Sequence, residues 1–128
     1  MAAIVVVDDD RDMVELVTSV LSRAGHEVRA TVNAGEAMDL VRQAVTGAQQ
    51  PVIVVTDIFM PGHDGLELIE EIKRSYPALG VLAISGGSPT GSGYLSAARA
   101  YGADLTLPKP FRPLELRAAI DELIAIAD

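Results

Sequence analysis

Apolar runs of strand length alternate with stretches of helical period along the chain, and this alternation predicts a parallel sheet whose strands are joined by crossover helices. Residues 3–7, 52–56, 81–84 and 105–107 are short and almost purely apolar, as strands buried on both faces should be. Residues 27–32 differ. Val28, Ala30 and Val32 alternate there with charged or polar neighbours, which suits an edge strand with one face less buried. Between these runs, Val14, Val17, Leu21 and Ala24 recur at helical spacing, and Ala37, Leu40, Val41 and Ala44 form a second stripe, with Asn33 and Glu36 as its capping pair. Leu66, Ile69 and Ile72 line a third helix whose other side carries Glu67, Glu70, Glu71, Lys73 and Arg74. Tyr94, Ala97, Ala98 and Tyr101 predict a fourth, and Leu116, Ile120, Leu123 and Ala127 a fifth. Residues 85–93 are too rich in Gly, Ser and Pro for regular structure and are predicted to form a mobile loop.

Length and charge narrow the function classes. The 128 residues amount to one domain with one core, with no repeat and no linker. Eighteen acids against ten bases leave no basic stripe of the kind that neutralises phosphates along a duplex, so direct nucleic-acid binding is not expected. Without cysteine there is neither a disulfide framework nor a thiolate zinc site. The longest apolar run, residues 1–7, is too short to span a bilayer and lacks the basic start of a signal peptide. A cytoplasmic protein without a membrane partner is expected.

The chemistry sits at the ends of the predicted strands. In open α/β sheets ligands bind beyond the carboxyl ends of the strands, and Asp8, Asp57, Ser85 and Lys109 each fall at or just past such an end. Right-handed crossovers would bring all four to one edge of the sheet. If the first and third strands are neighbours, Asp8, Asp9 and Asp57 crowd together. At about 5 Å and an effective dielectric near 20, each like-charged pair costs on the order of 3 kcal/mol, which a cation would relieve. Oxygen ligands suit a hard ion, and Mg²⁺ is preferred where a phosphate supplies a further ligand. An acidic turn before a helix also serves as an N-cap, so residues 8–10 are open to both readings, and Asp10 and Asp12 are read as caps. Asp57 ends a buried run and is a candidate covalent nucleophile toward phosphoryl groups, or else a turn former beside Met60-Pro61-Gly62. Lys109, fixed by the stiff Pro110-Phe111-Arg112-Pro113 segment, is a surface lysine or a counter-charge that pairs with Asp57 and then with an added phosphoryl oxygen. Ser85, before Gly86-Gly87, is a turn residue or a hydroxyl donor with open space beside it.

Taken together, Val7-Asp8-Asp9-Asp10, Thr56-Asp57, Met60 through Gly65, Ile84-Ser85-Gly86-Gly87 and Lys109-Pro110-Phe111 make the chain resemble a response-regulator receiver domain of two-component signalling, the CheY-like superfamily. The resemblance runs from Val5 to the last helix. It implies a flavodoxin-like, doubly wound five-stranded parallel sheet in the order 2-1-3-4-5 with five helices, and a cis Lys109-Pro110 bond. It further implies that Asp57 is the phosphoacceptor, that Asp8, Asp9, Asp57 and the Phe59 carbonyl hold Mg²⁺ (or Mn²⁺ in its place), and that Ser85, Gly86, Thr106 and Lys109 serve phosphoryl contact and switching. The implied donor is a histidine kinase or a histidine phosphotransfer protein, or a small phosphodonor. The implied output is a protein target, with the chain a monomer or a weak dimer promoted by phosphorylation. The protein would then be a bacterial signalling phosphoprotein that catalyses only its own phosphorylation and dephosphorylation. Residues 1–128 read as one receiver domain without an output domain; a receiver belonging to a hybrid kinase or larger regulator is the alternative.

Two positions depart from the family pattern. Thr106 stands where an aromatic switch residue is usual, which turns the expected signal route toward residues 85–93 and Tyr94 or Tyr101 of the fourth helix. Phe59, bulky and apolar two residues after the acceptor, stands where polar residues are common and should hinder the water that attacks a phosphoaspartate. Rival classes fit less well. A flavin-binding module wants flanking aromatics, and there is no tryptophan. A haloacid-dehalogenase-type phosphatase needs a second Asp where Phe59 stands. A receiver that works without phosphorylation would not require the full set of acids, hydroxyl and lysine.

Overall fold

The computed structural model describes residues 1–47, 50–60, 63–86 and 92–127. Five parallel strands, β1 (Ala3–Val7), β2 (Glu27–Thr31), β3 (Val52–Asp57), β4 (Gly80–Ser85) and β5 (Leu105–Pro108), form one sheet in the order β2-β1-β3-β4-β5. The helices are α1 (Arg11–Arg23), α2 (Ala37–Gly47), α3 (Gly65–Ser75), α4 (Ser92–Tyr101) and α5 (Pro113–Ala127). This is the flavodoxin-like doubly wound architecture.

Strand alternation builds the two layers. Val5, Val7, Val54, Val81 and Ala83 pack with Val41 of α2, Ile69 and Ile72 of α3 and Ala98 of α4. Their strand neighbours Ile4, Val6, Ile53, Val55, Leu82 and Ile84 face the other way, onto Val17 and Leu21 of α1 and Leu116, Ile120 and Leu123 of α5. Because both faces are covered, the central strands carry no polar positions until their ends. Burying each such Val, Ile or Leu contributes about 1.5–3 kcal/mol, which makes the sheet a rigid support for whatever stands at its edge.

Several expectations shift locally. β2 is an edge strand, paired only with β1, but its buried residue is Thr31 while Ala30 is exposed. The Thr31 hydroxyl is satisfied by the Glu36 carboxylate at 3.0 Å and by the Asn33 N–H at 2.9 Å. Glu36 therefore does not reach back to Asn33; Asn33 caps alone, accepting from the Gly35 N–H at 2.8 Å, and opens a short 3₁₀ turn at Ala34–Glu36. Ala127 is exposed, because Leu123 already packs at Gly80, the first residue of β4, and the following turn overhangs the sheet. Tyr101 is 41% exposed, since α4 meets the sheet through the small Ala98 and leaves the larger ring at its margin. Regular structure reaches into both ends of 85–93: Ser85 is held in the ladder opposite Pro108, and Ser92 opens α4. The mobility expected of that loop, and the Tyr94 side chain, lie outside the described residues. A two-residue antiparallel ribbon, Phe59–Met60 with His63–Asp64, was not foreseen in the apolar pattern.

Candidate functional site

Register alone brings the polar strand ends together. Val7 pairs with Thr56, so Asp8 and Asp57 are the next residues on adjacent strands. Asp57 pairs with Ile84, which sets Ser85 one step further along β4, and Ser85 pairs with Pro108, which sets Lys109 beside Gly86. The resulting cleft, about 560 Å³, is lined by Asp8, Asp9, Asp57, Phe59, Gly86 and Lys109 among others. A larger cleft of about 740 Å³ lies at the opposite edge, around Pro51, Tyr76 and Leu79, and has no ionisable carboxylate or amine among its described lining residues. The smaller cleft is where chemistry is possible.

Each acid in the β1–α1 turn has a separate task. Asp10 caps α1, its Oδ1 accepting from the Asp12 N–H at 3.0 Å and the Met13 N–H at 3.4 Å. Asp8 accepts the Asp10 N–H on Oδ1 at 3.0 Å, an Asx turn that leaves Oδ2 facing Lys109. The ligand atoms of Asp8, Asp9 and Asp57 all lie within 4.8 Å of one another, Asp8 and Asp57 buried and Asp9 exposed. Three hard oxygen donors at that separation fit a small divalent cation such as Mg²⁺.

Lys109 is the one side-chain cation that reaches these acids among the described residues. Its Nζ stands 3.5 Å from Asp57 Oδ2, the ion pair expected from sequence, and lies nearer still to Asp8, donating to its Oδ2 at 3.0 Å. Burial works against its charge, but the hydrogen bond to Asp8 and the attraction of both carboxylates outweigh this and hold its pKa above the ordinary lysine value. Asp57 is only 6% exposed. Burial first, and the charge of Asp8 second, raise its carboxyl from the ordinary 3.8 to about 6, against the lowering influence of Lys109 and of the Phe59 and Ile58 N–H groups. Asp8 is likewise raised, by burial above all. One ammonium does not fully compensate two buried carboxylates, so the cluster retains an uncompensated negative charge that a divalent cation would neutralise.

Ser85 is 4% exposed, and its Oγ has no hydrogen-bond partner among the described residues. A buried orphan hydroxyl costs about 1–3 kcal/mol, a cost tolerated where a further group is to be received. Thr106 stands inside β5 opposite Ala83, half-buried, and is not among the cleft's lining residues. Phe59 donates its N–H to Asp57 Oδ1 at 3.4 Å and exposes 38% of its surface in the cleft. The Lys109–Pro110 bond is cis.

Sequence reasoning passed over Gly65, quoted there only as part of a segment. Its N–H donates to the Ile58 carbonyl at 3.1 Å, and a Cβ there would stand 2.5 Å from the Asp57 carbonyl oxygen. Only a residue without a side chain lets the chain double back so close to Asp57. The clue was a glycine at the start of an otherwise good helical stripe, where Ala would have been the better helix former.

Known proteins match the chain over nearly its whole length. Residues 4–121 match the family model of the response regulator receiver domain. The chain is 37% identical over 123 residues to the DNA-binding transcriptional regulator NtrC of Azospirillum brasilense, covering 96% of this chain and 24% of that protein. NtrC of Rhizobium meliloti (strain 1021) is 36% identical over 126 residues, with 97% and 24% covered. This chain thus spans about a quarter of the length of those relatives. Among solved structures, NtrX from Brucella abortus in complex with ADP superposes with a TM-score of 0.89 at 33% identity, over 99% of this chain and 28% of that one. A response regulator receiver domain protein from Clostridium thermocellum superposes at 0.87 and 25% identity, over 98% and 96%. The strand order, the converging acids and lysine, and these matches agree, and the chain belongs to the response-regulator receiver-domain family.

Proposed function

We propose that this receiver accepts a phosphoryl group on Asp57 from the phosphohistidine of a histidine kinase or histidine phosphotransfer protein, or from a small phosphodonor, in a Mg²⁺-dependent transfer. The observation that carries the reading is the pairing of Asp57 with two further acids and Lys109 in a cleft at the carboxyl edge of the sheet. Asp8, Asp9, Asp57 and the Phe59 carbonyl would hold the ion, with Mn²⁺ able to substitute. When bound, it neutralises charge on the transferring group. An Asp57 carboxylate oxygen attacks phosphorus, the P–N bond breaks with its electron pair passing to the departing imidazole, and an acyl phosphate results. Lys109 gives its ammonium to a phosphoryl oxygen, and the buried Ser85 hydroxyl supplies a further donor. Hydrolysis reverses the state when water attacks phosphorus and the bond to Asp57 oxygen breaks. The protein is thus a signalling phosphoprotein whose only catalysis is on itself.

The output follows from what Ser85 carries with it. Drawing its hydroxyl toward the phosphoryl group shifts the end of β4, a displacement of the kind that re-forms a surface for a protein partner. The relatives named as DNA-binding regulators are much longer than this chain, whose net charge of −8 favours protein contacts over nucleic acid. The reading is tested by melting the protein with Mg²⁺ and beryllofluoride, a phosphoryl mimic. A raised melting temperature in the wild type, absent in Asp57→Asn, supports it; no rise in the wild type overturns it.

A further inference from the structure

We infer that Gly86 is a positioning residue for Lys109: its missing side chain is what lets the lysine stem cross the end of β4 and place Nζ between Asp8 and Asp57. The inference rests on the proposed phosphoacceptor reading and adds to it the element that sets the lysine's reach.

Lys109 has little freedom at its backbone, because its N–H donates to the Ser85 carbonyl at 2.8 Å, tying the end of β5 to the end of β4. From that anchor its stem lies over the next residue. A Cβ at Gly86 would stand 2.5 Å from Lys109 Cβ, 3.3 Å from Cδ and 3.4 Å from Cγ. Cβ is fixed to the main chain and cannot be swung aside as a side-chain tip could. A methyl group at position 86 therefore has to part the ends of β4 and β5 or turn the stem out of the cleft. Both moves carry Nζ off Asp8 Oδ2, now at 3.0 Å, and Asp57 Oδ2, now at 3.5 Å. The contact with Gly86 also covers the stem, and the Lys109 side chain keeps only 18% of its exposure. Gly47 offers a contrast, with nothing within 4 Å of a Cβ built there.

The sequence supplies an internal standard for the test, since it contains two lysines, Lys73 and Lys109. Lys73 is paired with Asp104 at 3.1 Å and bonds the Leu79 carbonyl just before β4, and neither residue lines the cleft. The folded, metal-free protein is acetylated with an N-hydroxysuccinimide ester, and the rate at each lysine is followed by peptide mass spectrometry for wild type, Gly86→Ala, Gly86→Val and Gly47→Ala. Lys109 should react several-fold faster relative to Lys73 in the Gly86 variants, more so for Val, and unchanged in Gly47→Ala. Phosphorylation by acetyl phosphate with Mg²⁺ should slow in the same order, by about tenfold or more for a displaced charge-assisted donor. If Gly86→Val does not fold by circular dichroism, Gly86→Ala decides. Equal Lys109 acetylation in wild type and a folded Gly86→Ala overturns the inference, and so does faster acetylation of both lysines together, which reports general loosening. A wild type that takes no phosphoryl group fails the functional reading alone, because the acetylation ratio reads the Gly86–Lys109 contact without it.

Discussion

Replacing Asp57 with Asn removes a buried charge while keeping the shape of the side chain and one acceptor oxygen, enough for the Phe59 N–H that bonds Oδ1, while Lys109 keeps its nearer partner Asp8. Burial and the neighbouring Asp8 raise the Asp57 carboxyl from 3.8 to about 6. A carboxyl that holds its proton more tightly in the folded state favours folding while protonated. That contribution is complete below the unfolded value and is lost as the pH rises through the folded one. The ionised group therefore weighs against the metal-free fold at neutral pH. With about 1.4 kcal/mol for each pKa unit, the cost comes to roughly 3 kcal/mol at pH 8 and about half of that at pH 5. Asp57→Asn should accordingly be more stable than the wild type by on the order of 2–3 kcal/mol at pH 8 in EDTA, and by distinctly less at pH 5. Adding Mg²⁺ should close the gap, since a ligand at 100 times its Kd stabilises the native state that binds it by about 2.7 kcal/mol and the variant has lost one of its ligands. Urea unfolding followed by circular dichroism gives each free energy directly. An Asn variant less stable than wild type at pH 8, or a gain of equal size at both pH values, would refute the reasoning.

Three further outcomes follow from the same coordinates. Phe59 stands in the cleft beside Asp57, and Phe59→Asn should shorten the lifetime of the phosphoprotein, by about tenfold if the ring's exclusion of water is worth 1.4 kcal/mol; an equal or longer lifetime on phosphate-release assay contradicts this. Gly65→Ala would force a Cβ to within 2.5 Å of the Asp57 carbonyl oxygen and should cost on the order of 3 kcal/mol in urea unfolding, whereas a loss under about 0.5 kcal/mol would mean that the chain yields there easily. His26 accepts the Ala2 N–H on Nδ1 at 3.0 Å, and burial, the nearby N-terminus and Arg117 lower its pKa against the pull of Asp121. Because the unfolded chain binds that proton more readily, wild type should lose stability relative to His26→Gln as the pH falls from 7 through the folded pKa below 6.5; a pH-independent difference between the two contradicts the pairing.

The fold was legible because nearly every signal in it is local. Uniformly apolar runs with charged helix faces between them specify a doubly covered parallel sheet, and the mixed pattern at residues 27–32 marked one edge, whereas β5, read from Leu105 and Leu107 as buried on both faces, is the other edge and only partly buried. The acids, hydroxyl and lysine were legible for a related reason: a polar residue directly after a buried strand stands out against the run that precedes it. Harder to foresee was everything set by approach between distant segments. That Lys109 leans to Asp8, that Glu36 answers Thr31 and not Asn33, and that Gly65 and Gly86 make room for backbone and lysine stem are facts of distance between strands. The exposure of Tyr101 and Ala127 has the same origin, since helical periodicity tells which face turns inward but not where the sheet beneath it ends.

The central claim is that Asp57 is a phosphoacceptor served by the surrounding acids. The measurement that tests it most directly is intact mass after incubation with acetyl phosphate and Mg²⁺, for wild type and Asp57→Asn. The account predicts one added phosphoryl group on the wild type, lost when EDTA replaces Mg²⁺ and lost in the variant. A folded, Mg²⁺-binding wild type that gains no mass, or a variant that gains as much as the wild type, would contradict it.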